Sequence, residues 1–260
     1  MPVFLYCLPD SRHVWYTIKE NTYCLYGERI VIPMSMEQKE HAQKKPTAYT
    51  DTKKDTKKKL CYIGRRMKEG GLIVACDGNM SYRRDEGTIV ITPSGVPKGE
   101  LKPSDLLVMD MKGRIVKGNG KASTETNLHL QVYKLRPDVK AIVHCHPITA
   151  TAVSVAGLEF PSRVVTEGRD YLGPVTTVPF AEPGSLKLAN DCAKALQSVN
   201  AVIMTCHGAC TVGNDLDQAF NRMETLEAVA KMYRDALIFH LGHQSIQEQQ
   251  VADLTSVFHF

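Results

Sequence analysis

The tripeptide His144-Cys145-His146 carries the strongest chemical signal in the chain. It closes a run, Lys140–His144, that reads as a strand, where alternate side chains share a face. Both imidazoles can then approach one cation while Cys145 points away. A tight catalytic zinc site needs three protein ligands and a fourth position open to substrate. His207, in the short segment Cys206-His207-Gly208 between two apolar runs, is the candidate third ligand; an isolated HxH also arises by chance. Glu125 follows the polar turn Lys121-Ala122-Ser123-Thr124 at a helix start. A carboxylate there closes a capping box or, equally, moves protons beside a metal.

Free backbone N–H groups and hydroxyls at the same helix start suit an anion. Two further turns have that character: Cys76-Asp77-Gly78-Asn79-Met80-Ser81, joining two expected strands, and Thr92-Pro93-Ser94-Gly95. Glycine admits close backbone approach, and Asn and Ser offer donors. Each turn alone is more often an ordinary connection than a phosphate site. Neither is a Walker loop or a dinucleotide fingerprint, so nothing supports nucleotide binding. His129, one helical turn past Glu125, is expected to pack near the site in a structural role. Cys145, Cys206 and Cys210 read as buried thiols rather than ligands.

Regular elements must position these residues. Asp51–Glu69 is expected to be helical, stopping at Gly70-Gly71. Leu72–Ala75, Thr88–Thr92, Leu106–Asp110 and Arg114–Lys117 read as strands between Gly, Pro and Asp turns. Glu125–Leu135 is a helix from the spacing of Leu128, Val132 and Leu135. After the strand Lys140–His144, Pro147–Ala156 is a helix with Pro near its first turn. Val175–Pro179 is a strand and Ser185–Gln197 a helix. Ala201–Thr205 and Ala209–Val212 flank His207, and Asp215–His240 is a long amphipathic helix. Residues 1–50 sustain no period of 2 or 3.6 and are read as an N-terminal extension, ordered or disordered. Residues 51–260 form the second division, one mixed α/β domain patterned from about 50 to 240.

Composition narrows the class. The 260 residues suffice for one large α/β domain, and 43% apolar with 23% charged residues is ordinary for a globular protein. No apolar stretch approaches the ~18–20 residues of a membrane span. The net charge of +4 is too mild to imply nucleic acid, and much of it sits in one run that includes Lys53, Lys54, Lys57, Lys58 and Lys59. A phosphorylated small molecule suits that balance. Eight cysteines without a CxxC pair read as free thiols of a reducing cytosol. The opening MPVFLYCLP lacks a basic n-region and a small-residue cleavage site, so a cytoplasmic protein is expected.

Four stretches, GLIVACDGNMSYR, ITPSGVPKGELKPSDLLVMD, KASTETNLHLQVYKLRPDVKAIVHCHPITATAVSVAG and AVIMTCHGACTVGNDLDQAFNRMETLE, occur in an order that resembles the class II, zinc-dependent aldolase and epimerase family typified by L-fuculose-1-phosphate aldolases. The resemblance covers roughly residues 55–240. It implies a three-layer αβα sandwich around a central, largely antiparallel sheet, and a homotetramer with active sites at subunit interfaces. His144, His146 and His207 match the zinc ligands. Glu125 matches the catalytic acid/base that also approaches the metal. Gly78, Asn79, Ser94, Gly95, Ser123 and Thr124 fall on phosphate-binding positions.

The resemblance implies one zinc ion per subunit and reversible retro-aldol cleavage of a ketose 1-phosphate to dihydroxyacetone phosphate and an aldehyde. Glutamate at position 125 favours an aldolase, since 4-epimerases of the family usually carry aspartate there. The alternatives are a methylthioribulose-1-phosphate dehydratase, a 4-epimerase, an oxo-tetronate-phosphate decarboxylase, or a non-catalytic assembly domain like the adducin head. Loss of metal ligands would mark the last, and all three histidines are present. The family's tyrosine acid shortly after the HxH helix has no match in residues 160–166; Tyr171 is the nearest candidate.

Overall fold

A computed structural model of the chain describes residues 5–7, 13–18, 21–26, 29–33 and 53–242. The chain divides into two compact units, Met1–Asp51 and Thr52–Phe260. In the first, β1 (Leu5–Cys7), β2 (His13–Ile18), β3 (Asn21–Tyr26) and β4 (Arg29–Pro33) pair antiparallel in chain order. No strand is expected here from sequence. The segments HVWYTI and NTYCLY carry apolar or aromatic residues at both parities, which hides a period of 2, although β-branched and aromatic content favours extended backbone.

The second unit is built on an eight-stranded sheet. Its strands are β5 (Asn79–Arg83), β6 (Thr88–Ile91), β7 (Leu107–Asp110), β8 (Ile115–Lys117), β9 (Ala141–Cys145), β10 (Val175–Val178), β11 (Ala201–Met204) and β12 (Gly208–Gly213). Their spatial order is β10-β11-β12-β9-β5-β6-β7-β8, antiparallel throughout except for the parallel pair β10–β11. Five α-helices among the described residues cover it: α1 (Lys53–Glu69), α2 (Thr126–Leu135), α3 (Ile148–Val155), α4 (Leu186–Ala195) and α5 (Leu216–Gly242). Strand alternation splits the core between the two faces. Met80, Val143, Cys145 and Ile203 pack with Leu60 and Met67 of α1, Ala150 of α3, and Phe220 and Met223 of α5. Ile89, Ile142, Val202 and Cys210 pack on the opposite face with Leu128 and Val132 of α2 and with Leu188 and Cys192 of α4. The result is the expected three-layer αβα sandwich around a largely antiparallel sheet.

Two local expectations are corrected. Leu72–Ala75 is not a strand but a turn that follows the α1 cap. The Leu72 N–H donates to Met67 O at 2.9 Å, and Ala75 takes a left-handed φ of +46°. Asn79–Ser81, expected within a turn, instead opens β5. Its alternation is concealed because one parity (Met80, Tyr82) packs into the apolar core while the other (Asn79, Ser81) faces α2 through polar groups. Among the described residues no helix is long and apolar enough to cross a membrane.

Candidate functional site

His144, the penultimate residue of β9, lies on the α2 face, fully buried, and its Nδ1–H donates to Ala209 O of β12 at 2.9 Å. This bond fixes the tautomer and turns the Nε2 lone pair away from the sheet neighbour. His146 lies two residues on, past the strand end, with its Nε2 at 3.1 Å from His144 Nε2. His207 comes from the turn joining β11 and β12. The three rings stand 4.9–5.0 Å apart, centroid to centroid, and one ligand atom from each lies within 4.8 Å of the others.

Local backbone explains how His207 arrives. Cys206 adopts φ +57°, and its N–H is held by Ser154 Oγ of α3 at 3.2 Å. A left-handed non-glycine residue costs of order 1 kcal/mol and persists where its surroundings fix it. Next to it, a Cβ on Gly208 would lie 2.4 Å from Cys145 O and 2.8 Å from His146 Cδ2, so only glycine lets β12 approach the histidine pair. The same constraint operates at Gly78: φ is +70°, and a Cβ would stand 2.8 Å from His144 O.

Glu125 completes the cluster. It precedes α2 as its N-terminal boundary residue, yet its side chain makes no capping bond, which removes the capping-box reading. Its Oε2 lies 2.9 Å from His144 Nε2 and accepts from Asn79 Nδ2 at 2.9 Å. Its Oε1 is buried without a hydrogen-bond partner among the described residues and lies 3.7 Å from His207 Nε2. Burial opposes the carboxylate's charge, but His144, His207 and the Asn79 amide outweigh it and hold the acid well below the usual carboxylate range. Burial also works to lower the His144 pKa, and there the Glu125 carboxylate prevails and raises it. For His146, burial and the neighbouring His144 and His207 push the pKa down to about 4; burial and His144 lower His207 likewise.

These donors fit a metal ion. The lone pairs of His144 and His146 and the Oε2 of Glu125 converge within hydrogen-bond distance, with no fixed N–H between them once His144 Nδ1 holds its proton. Such a convergence is stable only around positive charge: a proton on His144, or a cation. Neutral imidazoles with a carboxylate are a donor set that borderline divalent ions accept. Cys145 and Cys210 are buried, with thiol pKa values driven well up by burial, and neither joins the histidine cluster. Cys206 corrects its expectation: it is exposed, because the turn that aims His207 inward turns its neighbour out.

The phosphate-candidate turns lie beside one another. Ser94 N–H donates to Lys121 O at 2.9 Å, and Pro93 forms an antiparallel bridge with Ala122. This joins the Thr92–Gly95 turn to the Ser123-Thr124 turn, where Ser123 Oγ accepts from Glu125 N–H at 3.2 Å. Lys98, buried, ties the Cys76 loop to the same region by donating from Nζ to Cys76 O and Val96 O, both at 2.8 Å. Gly95 and Thr124 are exposed and Ser94 half-buried, so this surface is open. Asn79 is different: its side-chain amide is engaged by the Glu125 carboxylate and by His129 Nε2, at 2.5 Å from its Oδ1.

Sequence reading overlooked several residues: Asp77, whose Oδ2 lies 3.5 Å from His146 Nδ1; Lys98; and Ser81 and Tyr133, which join His129 behind Glu125. The spacing Glu125, His129, Tyr133 repeats every four residues along one helix face and was the available signal.

Comparison with known proteins identifies the lineage. Residues 58–234 match the class II aldolase and adducin N-terminal domain. The chain is 36% identical over 176 residues to an L-fuculose phosphate aldolase of Methanocaldococcus jannaschii, covering 68% of this chain and 94% of that protein. It is 33% identical over 205 residues to a 3-oxo-tetronate 4-phosphate decarboxylase of Haemophilus influenzae, covering 76% and 95%. The crystal structure of L-fuculose-1-phosphate aldolase from Thermus thermophilus superposes with a TM-score of 0.65 at 33% identity, covering 72% of this chain and 97% of that one. With its αβα layers, its three histidines and its buried glutamate, this chain is an enzyme of the class II aldolase type and belongs to the class II aldolase and adducin N-terminal domain family.

Proposed function

We propose that the protein is a zinc-dependent aldolase that reversibly cleaves a ketose 1-phosphate into dihydroxyacetone phosphate and an aldehyde. The observation that carries this reading is the asymmetric Glu125 carboxylate beside three histidines: Oε2 is anchored by Asn79, and Oε1, 3.7 Å from His207 Nε2, is buried with no hydrogen-bond partner among the described residues. A group that must exchange a proton with carbon needs a free, oriented oxygen.

His144, His146 and His207 would hold the zinc ion, with Glu125 beside it. Zinc, when bound, supplies Lewis acidity toward the sugar's carbonyl oxygen. The C3–C4 bond breaks as the C4 hydroxyl proton leaves to an acid–base group, giving the aldehyde. Glu125, protonated on Oε1 by a proton taken up from water, delivers it to C3, the atom left with the electron pair, and dihydroxyacetone phosphate results; the C4 hydroxyl proton passes on to water, so the protons balance. Ser94, Gly95, Ser123 and Thr124 would hold the phosphate by hydroxyl and backbone donors, with the backbone of Gly78 and Asn79 at their side. Tyr171, 41% exposed in the single π-helical turn Gly168–Leu172, is the proposed source of the C4 acid, acting in a neighbouring subunit of a cytoplasmic homotetramer. The exposed apolar side chains Phe180 and Leu186 suit such an interface.

A second reading has its own support in the similarity to the H. influenzae decarboxylase, which extends over more of the chain than that to the M. jannaschii aldolase. One experiment separates them. The zinc-loaded protein is given a panel of ketose 1-phosphates with dihydroxyacetone phosphate release as readout, and 3-oxo-tetronate 4-phosphates with carbon dioxide as readout. Release of dihydroxyacetone phosphate from a ketose 1-phosphate supports the aldolase. Carbon dioxide from a 3-oxo-tetronate 4-phosphate, whose decarboxylation also leaves dihydroxyacetone phosphate, with no cleavage of any ketose 1-phosphate, replaces it with the decarboxylase.

A further inference from the structure

Behind Glu125 a chain of buried polar groups runs between α2 and β5. Asn79 Nδ2 donates to Glu125 Oε2 at 2.9 Å; Asn79 Oδ1 meets His129 Nε2 at 2.5 Å. His129 Nδ1 meets Ser81 Oγ at 2.6 Å, and Ser81 Oγ meets Tyr133 OH at 2.8 Å. His129 and Ser81 are fully buried, Tyr133 1% exposed and Asn79 3%. The match is one of pitch. Glu125, His129 and Tyr133 are four apart on a helix, an advance of about 6 Å per step, while Asn79 and Ser81 are two apart on a strand, an advance of about 6.7 Å.

Donor chemistry gives this chain one direction. The ionised Glu125 only accepts, so Asn79 must present its NH2 there and its carbonyl to His129. His129 Nε2 therefore carries the proton. Burial holds the ring neutral, with a pKa down to about 3, so Nδ1 accepts and the Ser81 hydroxyl donates to it. Ser81 Oγ in turn accepts from Tyr133 O–H, the closer of that hydroxyl's two acceptors, Lys140 O lying at 3.3 Å. With His129 absent, Asn79 Oδ1 would lose its donor and the amide would be held at its Glu125 end alone, free to swing with the carboxylate it anchors.

We infer that His129 is a positioning residue: through the Asn79 amide it fixes the Glu125 carboxylate beside the three histidines and leaves Oε1 as the free oxygen. The inference rests on the reading of Glu125 as a functional group next to a metal. It requires neither a particular sugar nor a particular reaction.

The test is a double-mutant cycle between His129→Leu and Glu125→Gln in the full chain, read first by Zn2+ affinity in chelator competition. Partners outside the ligand set commonly contribute tenfold or more to metal affinity. His129→Leu is expected to weaken Zn2+ binding about tenfold in the wild-type background and by less than twofold beside Glu125→Gln, because the carboxylate it positions is already replaced. His129→Gln, whose amide can donate to Asn79 and accept from Ser81, is expected to restore most of the affinity. Where a substrate is turned over, the kcat loss of His129→Leu should show the same non-additivity, with KM within twofold. Additive losses, or equal losses in the Leu and Gln variants, would overturn the inference; so would wild-type affinity in folded His129→Leu. A failed sugar screen leaves the Zn2+ cycle readable, so the two readings fail separately.

Discussion

Glu125 stands with one carboxylate oxygen 2.9 Å from His144 Nε2 and the other without a hydrogen-bond partner among the described residues. The contact places an anion against a lone pair, which requires a proton or a cation, and it leaves one oxygen for chemistry. Glu125→Gln preserves shape and removes the charge. Turnover is expected to fall ~100-fold or more, the scale of general acid–base catalysis, while the three histidines keep the zinc load near stoichiometric at an affinity about tenfold weaker. Metal analysis beside steady-state kinetics checks this; near-normal turnover would demote Glu125 to a structural neighbour of the histidines.

The histidines carry a separate expectation. Replacing His144, His146 or His207 by Ala should remove most bound zinc and activity and leave the circular dichroism spectrum intact. Stoichiometric zinc in the His144→Ala/His207→Ala double variant would contradict the assignment. In the apo protein, His144→Ala should forfeit more stability below pH 6.5 than well above it. The His144 pKa is raised in the fold, so its charge-linked contribution is present below the unfolded value and fades as pH rises through the folded one.

His129 has the opposite sign. Its folded pKa is depressed to about 3 from 6.5 by burial, so the unfolded chain binds a proton that the folded chain refuses. The neutral ring's contribution is complete above pH 6.5 and erodes as pH falls toward 3, by up to about 1.4 kcal/mol per pH unit. At roughly 2–4 °C per kcal/mol for a domain of this size, the wild-type melting temperature should fall about 3–5 °C per pH unit more steeply than that of His129→Gln between about pH 6 and 4. Parallel curves in differential scanning calorimetry would mean that His129 is accessible to protons in the fold.

How far the sequence discloses this site depends on what each residue packs against. The strand β9 and the helix α2 are visible because one buries apolar residues continuously and the other at helical spacing, so the HxH pair and Glu125 are placed correctly. Strand β5 is hidden because Asn79 and Ser81 face a partner helix through hydrogen bonds, and polar residues beside a glycine read as a turn. Leu72 and Ile73 mislead in the opposite sense: both are buried and apolar, yet they sit in a turn whose backbone bonds to α1 and to His146 N–H. The donor order from Tyr133 to Glu125 has no trace in periodicity, since it depends on which strand lies under which helix.

Lys98 tests the architecture of the candidate phosphate surface. Its ammonium bridges two carbonyls, Cys76 O and Val96 O. Lys98→Met keeps the stem and removes the donors, leaving both carbonyls to find other partners at a cost of about 1–3 kcal/mol. The turns would lose register with one another. KM for a phosphorylated substrate is expected to rise several-fold with a smaller change in kcat, and inorganic phosphate should weaken as a competitive inhibitor by the same factor. A kcat-only effect would place Lys98 with the proton-transfer groups instead.

The last prediction separates the two units of the chain. Every residue of the candidate site, and both faces of the eight-stranded sheet, belong to the unit Thr52–Phe260. The strands of Met1–Asp51 pair with one another and contribute none to the larger sheet. A chain beginning at Met36 is therefore expected to fold, bind zinc and assemble as the full chain does. Each of these can be followed by circular dichroism, metal analysis and light scattering on the two proteins side by side. An insoluble product would show that the segment holding the aromatic strands His13–Ile18 and Asn21–Tyr26 is needed for folding. A soluble, zinc-loaded product with altered mass by light scattering would instead assign them to assembly, and either result would overturn the expectation that residues 1–35 are dispensable.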